Sequence, residues 1–281
     1  MSGDDIATPV PIDTIAKLTS VWASLTEVGG VLTEDDWKRP TDLPGWTVQD
    51  VLSHLIGTER MLQGLDAAPA RDGGGEAHVR NPIGDFNENE VAARRDLPGA
   101  AVLAEWNGLV KLRTETLAAG DAAYFATPMA TPTGPGTLAD FLHIRVLDNW
   151  IHEQDIRRAV GHPGGLDTDA AAHTIDRLIR TIPIVVGKRA GCPDGQAVRI
   201  RITGGVEREV TCEVQDGRAR FVDEPTAAPV ATVTFSTEAF AVLACGRAAD
   251  IASDPVGTGA VSIDGDESLG RRVVDNFNMM I

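Results

Sequence analysis

Basic residues are scarce in this chain. Its 25 Lys and Arg stand against 41 Asp and Glu, a formal net charge of −16. A phosphate backbone is gripped by clustered Lys and Arg, and here they are few and dispersed. Nucleic acid is therefore excluded as an expected partner, and an anionic membrane surface for the same reason. Long apolar runs are also missing: nothing approaches the roughly 20 residues that a bilayer-spanning helix needs. The segment Met1 to Pro11 is acidic and has neither the basic nor the apolar region of a secretory signal, so the expected location is the cytoplasm. Cysteine is rarer still. Cys192, Cys212 and Cys245 are an odd number at unrelated spacings, which argues against a disulfide framework. The first 191 residues contain no thiol at all.

What is present is ordinary for a folded protein: 281 residues, 43% hydrophobic and 23% charged, enough for one large domain or two average ones. Composition changes character near residue 190. Upstream, apolar residues recur at helical spacing. Downstream, short β-branched runs alternate with polar residues at Ala197 to Thr203, Arg208 to Val214, Arg218 to Val222 and Ala231 to Phe235. Gln215-Asp216-Gly217 between two of them is a hairpin signal, because Asp-Gly takes the positive φ of a tight turn. A helix over Thr237 to Arg247, a strand over Val261 to Ile263 and a helix over Glu267 to Asn278 follow. The boundary is drawn in Gly187 to Gly195. The expected architecture is an α domain (1–190) followed by a smaller α+β domain (191–281).

The α domain reads as four main helices. Thr14 to Val28 carries Ile15, Leu18, Trp22 and Leu25 on one face. Val48 to Leu65 is capped by Thr47, with Asp50 in its first turn. Asn87 to Leu117 forms a third helical region with a break at Pro98. Leu138 to Val160 stops at Gly161. Ala70 to Gly84 reads as a mobile loop, and Asp169 to Val186 as a connecting helix.

Two of these helices carry residues suited to chemistry. Asp148 and His152 are four apart and Asp155 is three further on, so the three form one line on one face. Phe141, Val146, Trp150, Ile151 and Ile156 border that line, which sets it apart from a solvated stripe. A carboxylate and an imidazole at i, i+4 can both reach one metal ion, or can be no more than a partly buried hydrogen-bonded pair. His54, at the edge of the apolar stripe of Val48 to Leu65, supplies a third ligand and leaves a fourth position open, the arrangement of catalytic zinc. Asp155 can then accept the second ring N–H of His152 and fix its tautomer. Arg145, one turn before Asp148, is suited either to steering an anionic substrate or to a plain ion pair with Asp148. Glu59 reads as an unpaired structural acceptor. His78, His143, His162 and His173 lack partners at ligand spacing and read as surface or loop residues, and Cys245 as a small buried apolar residue.

The segment Thr41-Asp42-Leu43-Pro44-Gly45-Trp46-Thr47-Val48-Gln49-Asp50-Val51-Leu52-Ser53-His54-Leu55 resembles the entry to the second helix of the mycothiol-dependent maleylpyruvate isomerase family. Asp148-Asn149-Trp150-Ile151-His152-Glu153-Gln154-Asp155-Ile156-Arg157-Arg158-Ala159 looks like that family's metal motif on the fourth helix. The resemblance implies a DinB-like metal-binding four-helix bundle, with a C-terminal α+β domain similar to sterol carrier protein 2. It implies a divalent metal, most often zinc, held by His54, Asp148 and His152, with mycothiol as thiol cofactor or co-substrate and a small electrophile as substrate. The expected activity is isomerase or S-transferase. A thiol-independent metal enzyme such as a hydrolase, or a small-molecule or lipid-binding protein with a structural metal, are the alternatives. Where the isomerase type carries Glu, this chain has the shorter Asp148. The resemblance also implies that an arginine of the C-terminal domain reaches the site; Arg247 and Arg271 are the candidates. The missing thiol fits, because cis–trans isomerisation by thiol addition, bond rotation and elimination would here need an imported thiol, deprotonated at the metal.

Overall fold

The computed structural model describes residues 9–247 and 249–279; of the segment read for targeting signals, residues 1–8 lie outside the described residues. The chain divides into two compact units, Met1–Pro163 and Gly164–Ile281.

The first unit is helical: α1 (Ile12–Gly30), α2 (Glu34–Trp37), α3 (Val48–Leu62), α4 (Pro82–Ala92), α5 (Gly99–Ala119), α6 (Ala122–Phe125) and α7 (Leu138–Val160). A two-stranded hairpin, β1 (Pro128–Thr131) and β2 (Gly134–Thr137), precedes α7. Three starts share one device: in α2, α3 and α7 a Thr-x-x-Asp pair forms a capping box, with Thr33 and Asp36, Thr47 and Asp50, and Thr137 and Asp140. Each box satisfies backbone donors that the first turn leaves orphaned. At its other end α7 stops at Gly161, whose φ of 66° is the left-handed value glycine adopts readily. The helices α1, α3, α5 and α7 pack on one another, α1 against α5 and α7, α3 against α5 and α7, with α4 laid along α3. Their shared interior holds Leu18, Trp22, Leu52, Leu55, Ile56, Trp106 and Trp150, all essentially solvent-free. Trp22 and Trp106 meet edge to face, with ring centres 6.5 Å apart. Close approach of α4 to α3 needs Gly57, where a Cβ would stand 2.4 Å from Cγ of Glu90.

Several helix limits differ from the sequence reading. The third helical region is two helices, α4 and α5, parted at 93–98, and α4 starts five residues early because Asn81 caps a helix with Pro82 at its first position. The hairpin β1–β2 was unexpected; its Pro and Gly content reads as loop.

The second unit opens with α8 (Asp169–Ile179) and a π-helical turn (Ile184–Arg189). Asp169 to Val186 is thus not one helix, because Pro183 has no N–H to continue the ladder. The division at 163/164 assigns α8 to the second unit, where it packs on α9 (Thr237–Ala244). The sheet consists of β3 (Ala197–Thr203), β4 (Arg208–Gln215), β5 (Arg218–Val222), β6 (Ala231–Ser236) and β7 (Val261–Gly265), in the order β5-β4-β3-β6-β7. Only β3–β6 is parallel. Between β4 and β5, Asp216 and Gly217 have φ of 53° and 71°, as a type I′ turn demands. Val198, Ile200 and Ile202 on β3 and Ala231, Val233 and Phe235 on β6 point inward at every second position. Among the described residues its remaining helices are α10 (Ala249–Ser253) and α11 (Glu267–Asp275). A cluster of Phe235, Phe240 and Phe277, centres 4.9–5.6 Å apart, fills the core. No helix among the described residues is long and apolar enough to cross a membrane.

Candidate metal centre

The site is set up by a turn. Pro44 and Gly45 sit in the middle of a β-turn closed by the Trp46 N–H on the Leu43 carbonyl at 3.0 Å. The φ of 79° at Gly45 is the positive value that the third residue of a type II turn requires. The turn delivers Trp46 next to the Thr47 cap, and the cap fixes the phase of α3 so that His54 faces α7. The Trp46 ring lies 5.4 Å from the His54 ring and 6.5 Å from that of His152. Its indole N–H donates to Glu88 Oε2 at 2.9 Å.

His54, Asp148 and His152 converge. One donor atom from each lies within 4.8 Å of the others. His54 Nε2 is 3.5 Å from Asp148 Oδ2, and His152 Nε2 is 3.6 Å from Asp148 Oδ1. Donors about 2.0–2.2 Å from a tetrahedral zinc stand about 3.3–3.6 Å apart, and each histidine already stands at that distance from one of the two Asp148 oxygens. Both histidines are buried, while Asp148 is a quarter exposed. The three can therefore hold a divalent cation with one side still approachable.

Electrostatics favour cation binding. Burial pushes the His54 imidazole down, against the pull of Asp148 and with the help of His152 and Arg145, so it is neutral, with a lone pair on offer, near pH 7. Burial by itself would raise the Asp148 carboxyl, but Arg145, with His152 and His54, outweighs it and holds that group well below the usual carboxylate range. Asp148 is thus an anion at any physiological pH.

A second set of residues holds the ligands. His152 Nδ1 is 3.0 Å from Oδ2 of the fully buried Asp155, whose Oδ1 accepts from Arg158 Nη2 at 2.6 Å. Arg158 Nε in turn donates to Asp42 at 2.9 Å, tying α7 to the loop before Trp46. His54 Nδ1 is buried with no partner. On the other flank, Arg145 donates through Nε to Glu59 Oε1 at 2.8 Å and through Nη1 to Asp148 Oδ2 at 2.5 Å. Glu59 Oε2 accepts from Arg113 Nε at 3.0 Å.

Glu59 is therefore a doubly paired acid, and the reading of it as unpaired is corrected: its partners come from α5 and α7, beyond the reach of local spacing. Arg145 pairs with both Glu59 and Asp148. Of the remaining histidines, His162 is exposed, whereas His78, His143 and His173 are half-buried, the latter two on helices. His78 has a specific partner, Glu88, at 3.1 Å. Glu88 also takes Arg95 at 2.8 Å, so the loop before α4 is fastened to the acid that holds Trp46. In the second unit, Arg247 donates to the Cys245 carbonyl and Arg271 to Glu267. Cys192, Cys212 and Cys245 are buried and form no disulfide. Burial pushes the Cys212 thiol up to about 12 and raises that of Cys192.

The family model described as the mycothiol maleylpyruvate isomerase N-terminal domain matches residues 18–157. Two uncharacterized proteins, one from each of two strains of Mycobacterium tuberculosis, are 30% identical over 165 residues. The match takes in 56% of this chain and 59% of theirs, so it spans less than two thirds of those relatives. Among solved structures, crystal structures of the mycothiol-dependent maleylpyruvate isomerase, one a histidine-to-alanine mutant, superpose with TM-scores of 0.50 and 0.51. At 15% identity, over 85% of this chain and 90% of those chains, the likeness is one of fold.

Proposed function

Through residues 18–157 the chain belongs to the mycothiol maleylpyruvate isomerase N-terminal domain family, and from that premise we propose that it is a metal-dependent enzyme using mycothiol to isomerise a small electrophile. The observation that carries the proposal is the meeting of His54, Asp148 and His152, with one donor atom from each within 4.8 Å of the others and Asp148 a quarter exposed. A divalent cation held there, with zinc the best match to two imidazoles and a carboxylate, would supply deprotonation of a thiol bound at the open position.

The chain's own residues supply the rest. His54 and His152 offer Nε2, and Asp155 accepts the Nδ1 proton of His152, which keeps that imidazole in the tautomer with a free Nε2. Trp46 walls the two rings against water. Addition of a thiolate to an activated double bond forms a C–S bond, breaks the C=C π bond and places its electron pair on the activating carbonyl as an enolate, leaving a single C–C bond free to rotate. Elimination breaks the C–S bond, restores the double bond and returns the thiolate, with no net redox change. The first unit has no cysteine to play this part, and the three in the second are buried, two of them with raised pKa values. An imported thiol is the remaining source. Such a thiol stays reduced in the cytoplasm, which supports that location.

Metal analysis of the purified protein tests the site. We expect one zinc per chain, its loss in His152→Ala with helical circular dichroism intact, and metal–sulfur coordination when mycothiol is added. Full zinc occupancy in both His54→Ala and His152→Ala overturns the site. Mycothiol-dependent conversion of maleylpyruvate tests the reaction, and a stable thioether product instead indicates S-transfer. Asp148→Glu keeps the charge and the metal and is expected to raise isomerisation.

A further inference from the structure

Arg113, Glu59, Arg145 and Asp148 form a chain of alternating charge running from α5 through α3 to α7. The first three are 0–3% exposed. Taking such groups out of water is costly, and well-packed apolar residues in their place are often neutral or stabilising. Stability therefore does not account for the chain. Its geometry suggests another purpose. On a guanidinium, Nε and Nη2 share one edge, and a carboxylate gripped by that edge is held by two bonds. Glu59 forgoes this with both arginines, giving Oε1 to Nε of Arg145 and Oε2 to Nε of Arg113. Nη2 of both arginines is left buried with no partner.

The consequence falls on Asp148. Arg145 lies one turn before it on α7 and is already bonded to its carboxylate. With its Nε edge occupied by Glu59, Arg145 meets Asp148 through Nη1 alone, on Oδ2. Oδ1 then still faces His152 Nε2 at 3.6 Å. The geometry points to Glu59 as a positioning residue for the metal centre: by holding Nε of Arg145 it anchors that guanidinium, closes its Nε edge to Asp148 and leaves Arg145 on Oδ2 alone, so that Asp148 stays available to a cation. This inference rests on the proposed metal site and adds a residue that touches neither metal nor substrate.

A double-mutant cycle tests it, read as Zn2+ affinity by chelator competition on the metal-free full-length protein, without mycothiol or substrate. Glu59→Gln is expected to weaken Zn2+ binding ten- to hundredfold, the scale of other supporting contacts around metal ligands. In an Arg145→Met background, the same change is expected to have no further effect, because Asp148 no longer has a competitor. If Glu59→Gln fails to fold, the charge-balanced pair Glu59→Gln with Arg113→Met replaces it and must show the same weakening. Affinity within twofold of wild type, or an equal loss with and without Arg145, overturns the inference. Wild-type protein that takes up zinc beside unaltered variants sinks this inference alone, whereas wild-type protein that takes up none sinks the metal site and the inference together.

Discussion

The interior of Met1–Pro163 contains Asp50, Glu59, Glu88, Glu90, Glu153, Asp155, Arg94, Arg113, Arg145 and Arg157, together with His54 and His152. In Gly164–Ile281, Glu213 is the sole buried charged residue among the described residues, and the centre is a phenylalanine cluster. One chain has thus built two cores of opposite kind. The second is built mainly on apolar packing, with Glu213 satisfied by Thr226 and Gln215. The ions of the first tie helices together: Glu59 joins α3 to Arg113 of α5 and Arg145 of α7, while Arg95 links Glu88 of α4 to Asp50 of α3 and Arg94 links Glu90 of α4 to Glu105 of α5.

The largest effect expected from this contrast is on stability. Arg113→Met leaves Glu59 with half its compensation in a dry site, and breaking a buried pair costs about 3–5 kcal/mol. Urea denaturation should show that loss. Glu59→Leu with Arg113→Met should recover part of it, while zinc affinity falls because Arg145 has lost Glu59. A single mutant within about 1 kcal/mol of wild type would break the comparison, since the interior ions would then be neither costly nor interdependent.

Acid is the next probe. Burial by itself would raise the Glu88 carboxyl, but His78, Trp46 and Arg95 together hold it below its ordinary value. A carboxyl depressed in the folded state contributes stability that is present above its unfolded pKa and is lost as pH falls through the folded one. Stability should therefore decline below about pH 4.5, and less steeply in Glu88→Gln. In the second unit, Ile200→Val removes one methylene from the sheet core and should cost about 0.5–1.5 kcal/mol, with zinc content unchanged.

Legibility from sequence follows the same divide. In the second unit, β-strand alternation and Asp216-Gly217 located the strands almost to the residue, because an apolar core imposes a period of two. In the first, the i, i+4 spacing of Asp148 and His152 and the Thr47 cap that phases His54 were equally local signals, and the structure brings those three side chains together. Arg113 could not be found that way. It meets Glu59 from 54 positions along the chain, and no periodicity announces a partner on another helix. His78 was passed over for the same reason, its acid being displayed by α4. The hairpin Pro128–Thr137 was hidden because Pro and Gly mark loops more often than strands.

The smallest effect belongs to Arg271. It pairs with Glu267 at 2.9 Å on α11, with about half of one side chain and two thirds of the other in water. An exposed i, i+4 pair contributes about 0.3–0.5 kcal/mol, and salt screens it. Arg271→Ala should shift the urea midpoint barely at all, and not at all in high salt. Arg271 is nevertheless one of two arginines that family resemblance offers for the reaction. The same variant therefore separates two roles. If turnover falls while stability holds, Arg271 contributes to catalysis rather than to the packing of α11. If both hold, Arg247, bonded to the Cys245 carbonyl, is the arginine left to test.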